Sequence, residues 1–77
     1  MNIDMQEARR LIMLAIKNNP TGVDYGRLDR AFVNRMPNMI IGYGNKLMPL
    51  LDAMTKEGII NSNNGHYTKG SNFPEDF

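Results

Sequence analysis

A mostly helical α+β fold, three helices closed by a C-terminal β-hairpin, is the class this sequence predicts. Three observations predict it. Apolar residues recur at helical spacing in three separate stretches of the 77-residue chain. Asn63-Asn64-Gly65 stands between two short strand-like runs, and Asn-Gly supplies the positive-φ pair that a tight hairpin turn needs. With no cysteine and a single histidine, neither a disulfide nor a thiolate metal site can staple the chain. Apolar packing must hold one small domain, near the lower size limit for a free-standing core.

The elements follow in order. Asp4 and Glu7 have the spacing of a capping box, and Met5, Ala8, Leu11, Ile12, Ala15 and Ile16 mark the buried stripe of a first helix. Met13 falls on the opposite, Arg9–Lys17 side. The helix should fade at Asn18-Asn19, because the residue before Pro20 is pushed out of the helical region. Thr21-Gly22-Val23 is expected to add a small strand to the later hairpin. Asp24 is placed to cap a second helix over roughly 25–33, with Leu28, Ala31 and Phe32 inward and Arg27 and Arg30 outward. Pro37 breaks the pattern, and Gly42 and Gly44 permit a tight turn around Tyr43. A third helix then runs to about Glu57 with Leu47, Leu50, Leu51 and Met54 on one stripe. Pro49 fits only the first turn, so the helix either begins near Asn45–Lys46 or is kinked at its start. Gly58 is the expected stop, and Ile59–Ser62 face His66–Lys69 across the turn.

This order is the plan of a winged helix-turn-helix over residues 1–70, followed by a tail, 71–77, whose Phe73 and Phe77 can fold back on the body. Ile41-Gly42-Tyr43, then Leu50, Leu51, Asp52 and Met54, then Gly58-Ile59-Ile60 and Gly65-His66 form a further pattern. Together they resemble the DNA-binding gamma domain of FtsK-type bacterial DNA translocases, a winged helix that reads short oriented chromosomal sequences. The resemblance covers residues 41–69 and lies mostly in scaffold positions. It implies a third helix that enters DNA. Asn45 and Met48 stand where that family carries arginines, with Lys46 the positive charge at that end of the helix. The chain has the size of that module without its motor, so the expectation is a stand-alone regulator or accessory factor of phage or bacterial type.

Charge and composition narrow the function. Net charge is +1, but Glu75 and Asp76 lie in the tail, leaving nine basic against six acidic groups before it. That permits phosphate contact. No apolar run approaches the roughly 18 residues of a membrane span, and no signal-peptide pattern opens the chain. The expectation is a soluble cytoplasmic protein, at the nucleoid if it binds DNA. No nucleophile–base pair, acidic pair, phosphate loop or metal set is visible, so no catalytic residue, cofactor, metal or small-molecule substrate is expected.

Asn45 and Lys46 lead the third helix. There, Asn can pair with adenine and Lys can reach guanine or a phosphate. Arg27 and Arg35 can meet the DNA backbone from the second helix and the loop after it. Asn64, His66 and Lys69 can do so from the hairpin. Each has a plainer reading, as a cap, a turn residue or a solvated surface group. Seven methionines in so short a chain suggest a second class of function. Met13, Met36, Met39 and Met48 could form a surface for a protein partner. Double-stranded DNA is the expected partner, with a homodimer or a protein partner as the alternatives.

Overall fold

The computed structural model describes residues 5–36 and 46–77. Helix α1, Met5–Asn18, is followed by strand β1, Val23–Asp24, and helix α2, Tyr25–Arg35. Helix α3, Leu47–Lys56, leads into strands β2, Ile60–Asn63, and β3, His66–Lys69. The strands form one antiparallel sheet in the order β1-β3-β2. The result is a small, mostly helical α+β fold with a three-stranded sheet. Asp4, Pro37, the Ile41-Gly42-Tyr43 turn, Met39 and Asn45 lie outside the described residues.

Each helix buries one stripe. Ala8, Ile12 and Ile16 of α1, Leu28 and Phe32 of α2, and Leu47, Leu50, Leu51 and Met54 of α3 meet in one core. Val23, Ile60 and Tyr67 close it from the sheet. Full burial of each large aliphatic or aromatic side chain contributes about 1.5–3 kcal/mol, and among the described residues no polar side chain is buried to offset it. Ala31 does not join this core. It is exposed and lines an open groove of about 210 Å³ with Ala15, Asn19, Val23, Arg27 and Leu28, because a lone methyl does not reach across to α1.

Helix ends follow from local chemistry. Asn19 folds back so that its side-chain amide donates to the Ala15 carbonyl at 2.7 Å, ending α1. Lys46 is the N-cap of α3, which places Pro49 at the third helical position, where an amide would have no helical acceptor. The first α3 hydrogen bond runs from the Leu50 amide to the Lys46 carbonyl at 3.3 Å. At the other end Gly58, with φ 78°, takes the left-handed conformation. The Gly58 amide donates to Thr55 and the Ile59 amide to Met54, both at 3.1 Å, a Schellman closure.

The hairpin is tighter than the three-residue turn expected. Asn63 pairs with His66, so Asn63 belongs to β2 and the turn is Asn64-Gly65 alone. Both turn residues have positive φ, 53° and 80°, as a type I′ turn demands. The short Val23–Asp24 strand pairs Val23 with Tyr67 and Asp24 with His66, making β3 the central strand.

The C-terminal segment packs on the body. Phe73 is 9% exposed within the core, and Phe77 is partly buried against it with the two rings edge-to-face at 5.8 Å. This corrects the placing of Met13. Arg9, one turn earlier, makes a bidentate pair with Glu57 at 2.8 and 3.0 Å, and Lys17, one turn later, donates to the Phe77 carbonyl at 2.6 Å. The end of α3 and the tail therefore cover this side of α1, and Met13 between the two ties is 9% exposed. Replacing Phe73 with Ala is expected to lower unfolding free energy by about 3 kcal/mol, and with Leu by about 1 kcal/mol. Urea unfolding followed by circular dichroism measures both. Unchanged midpoints would show that the tail lies outside the cooperative unit.

Candidate nucleic-acid interface

The described residues place the candidate side chains on three elements. Lys46 is exposed at the N-terminal end of α3, and Met48 and Pro49 follow it on the outer side. Met48 is 42% exposed, whereas its neighbours Leu47 and Leu50 are buried. Asp52, Ala53 and Lys56 continue this outer face. The leading end thus offers one cation and an apolar pair, with a carboxylate beyond.

Arg27, Arg30 and Arg35 are exposed along α2. Arg27 donates to the Asn19 side-chain oxygen at 3.2 Å. Among the described residues the salt bridges are Arg9–Glu57, Arg10–Glu7 and His66–Asp24. Arg27, Arg30, Lys46 and Lys56 take no part in them, and the charge of Arg35 acts on Glu7. The paired acids respond as expected: Arg10 holds the Glu7 carboxyl below its ordinary range, and Arg9 does the same to Glu57. Both pairs are exposed and solvent-screened, so they orient side chains more than they stabilise the fold.

The hairpin residues have separate duties. Asn64 is exposed at the tip, where its left-handed backbone makes the turn. Lys69 is exposed, its ammonium 5.0 Å from the centre of the Phe73 ring. His66 differs from its expected role. Its Nδ1 meets the Asp24 carboxylate at 2.8 Å and its Nε2 meets the Thr21 carbonyl at 2.8 Å. Both ring nitrogens are engaged within the protein, so neither is turned to a phosphate.

Asp24 is correspondingly changed. It occupies the N-cap position of α2 but makes no side-chain cap bond; its carboxylate serves His66 instead. Sequence spacing identified Asp24 as a cap because it lies just before a helix. The partner, 42 residues away, has no sequence signal beyond the pairing of β1 with the hairpin.

Of the methionines, Met48 is exposed, Met36 is partly buried against the core and Met13 is covered. The described residues therefore do not bring the candidates together as one methionine surface. No group of His, Asp or Glu side chains among them could hold a metal ion, and none of their helices is long and apolar enough to cross a membrane.

No protein-family model, curated protein or solved structure matches this chain. The likeness to the FtsK-type gamma domain rests on the quoted residues alone.

Gly22, beside the His66 ring, has φ 105°, and a Cβ built on it would lie 2.3 Å from Nε2 and 2.9 Å from the Thr68 methyl. Gly22→Ala is expected to cost about 1–2 kcal/mol through the left-handed backbone alone, and to displace the ring from Thr21. Urea unfolding gives the first quantity and the histidine ring shifts give the second. A variant with unaltered stability and ring shifts would contradict the geometry of this corner.

Proposed function

We propose that this chain is a small, non-enzymatic winged-helix DNA-binding protein, a regulator or accessory factor. Its third helix enters the major groove and its hairpin lies on the backbone as the wing. The observation that carries the reading is the element order α1-β1-α2-α3-β2-β3, with β3 between β1 and β2 and the hairpin following α3 after a short link. That order is consistent with a helix-turn-helix carrying an appended wing. A fold-level likeness supports a function only through the site it presents, so the side chains must bear the weight.

On this reading Lys46 leads the approach, with Asn45 immediately before it in the chain. Met48 and Pro49 supply apolar contact of the kind that reads a thymine methyl. Arg27 and Arg35 meet phosphates from α2, and Lys69 and Asn64 meet the flanking backbone from the hairpin. His66 holds the hairpin rather than touching DNA. Few cations take part, so affinity is modest and falls with salt. A homodimer would double the contacts and suit a palindromic site.

One observation favours a second reading, a winged-helix module for a protein partner. Met48 is among the most exposed large apolar residues and sits at the leading end of α3. The two readings separate on adjacent positions. Fluorescence anisotropy of a labelled mixed-sequence duplex, titrated with the protein at low and moderate salt, is the test. Binding should weaken with salt, and Lys46→Ala should lower the slope of log affinity against log salt by about one phosphate contact. Lys46→Glu should weaken binding by at least about tenfold, while Met48→Ala leaves the salt slope unchanged. Absence of binding at low salt by folded protein would overturn the DNA reading and turn attention to Met48.

A further inference from the structure

We infer that His66 is a proton-operated latch: as an imidazolium it ties the hairpin to the corner between β1 and α2, and loss of one ring proton loosens that corner. Nδ1 lies 2.8 Å from an Asp24 carboxylate oxygen and Nε2 lies 2.8 Å from the Thr21 carbonyl oxygen. A carboxylate and a carbonyl only accept. A neutral imidazole carries one N–H and one lone pair, so it can satisfy one of these oxygens and must set a lone pair against the other. The imidazolium carries two N–H groups and satisfies both.

The surroundings favour that state. Asp24 faces the ring from the end of β1 and contributes the negative charge. Across β2 the paired residue is Asn63, which is uncharged. Arg27 and Arg30 are the nearby cations of α2, lining a groove of about 280 Å³ together with Gly22 and Asp24. The direct bond to Asp24, followed by the bond to Thr21, outweighs the ring's partial desolvation and raises it above its ordinary value. The ring is 43% exposed and the Asp24 side chain 79% exposed, so water reaches the proton and no closed cavity traps it.

The latch sits where it can act. Its neighbour Gly65 accepts from the Tyr25 amide at 2.8 Å, the first amide of α2. Ring and amide bond together fasten the hairpin tip to the start of α2. Deprotonation withdraws one of the ring's two bonds and leaves the other, with the amide bond, to hold the tip. Stabilisation from the latch is complete below the ordinary histidine value of about 6.5. It is lost as pH rises through the higher folded-state value.

The test uses the intact chain, whose single histidine gives one set of ring signals. Ring shifts are followed by NMR from about pH 5 to about pH 9, together with exchange of the Tyr25 amide. The expected result is a ring midpoint above that of free histidine, falling back in Asp24→Asn. Tyr25 exchange should accelerate across that midpoint beyond its ordinary base catalysis, and the excess should vanish in His66→Gln. The unfolding constant should rise by at most about tenfold per pH unit in the same window, as one proton requires. A wild-type ring midpoint at or below the free-histidine value, or Tyr25 exchange that follows base catalysis alone, would overturn the latch. Both wild-type readouts stand even if a variant fails to fold. The inference does not rest on the DNA reading, and failure of DNA binding leaves it intact.

Discussion

The crossing of Gly58 and Gly70 is the constraint on which the arrangement of the C-terminal half depends. A Cβ on Gly70 would lie 2.1 Å from the Gly58 carbonyl oxygen, so the two backbones approach as only glycine allows. Gly58 ends α3 with its left-handed backbone, and its carbonyl accepts from the Asn72 amide at 2.9 Å. The Gly70 amide donates to Ile59 at 2.8 Å, and the Asn72 side chain donates to Glu57 at 2.9 Å. One crossing thus caps α3, starts β2, ends β3 and turns the tail towards Phe73's place in the core. The Met54 and Thr55 carbonyls at the end of α3 are taken by the Schellman turn, and the Glu57 and Gly58 carbonyls just beyond the helix by Asn72 of the tail.

The hairpin is consequently held at two places. Its base is fixed to α3 through the crossing, and its tip is fixed to the β1–α2 corner through His66 and the Tyr25–Gly65 bond. Tyr67 lies between them, 3% exposed, with burial raising its phenol above the ordinary value. A two-stranded hairpin alone is marginal in water. Here the third strand, a buried tyrosine and two fixed ends make it a defined surface beside α3. That rigidity matters for any reading in which hairpin and helix meet one partner, because their spacing is set before binding.

How far the sequence discloses this depends on the range of each interaction. Helix stripes, the Gly58 stop, the place of Pro49 and the Asn64-Gly65 turn all depend on residues within a few positions of one another. They were legible. Asp24 and His66 were each visible as separate residues with local roles, a cap and a hairpin donor. Their joint role needs β1 to pair with β3, which a two-residue strand scarcely signals. Met13 was misplaced for the same reason. A helical wheel sets it with Arg9 and Lys17, and the long-range ties of those two side chains to Glu57 and Phe77 bring distant residues over that side of α1. Of the candidate interface, the exposure of Lys46 and Met48 at the leading end of α3 follows from its buried stripe. Whether any partner meets that end is set by surface chemistry that spacing does not encode.

The outer face of α3 limits how DNA could be approached. Asp52 stands about 9 Å along the helix axis from Lys46 at the usual rise per residue. A helix laid flat in the groove would bring that carboxylate towards the phosphates, where like charge repels it. An end-on approach avoids this: it advances Lys46 and the positive end of the helix dipole and keeps Asp52 back. Met48 and Pro49 then enter with Lys46, giving apolar contact where polar readout is scarce. The tail adds a parallel restriction, since Glu75 and Asp76 are exposed beside the Phe73–Phe77 pair packed on the body. On the DNA reading these carboxylates disfavour docking through the tail side, and an approach led by the end of α3, with the fixed hairpin and the arginines of α2 beside it, keeps them away from the phosphates.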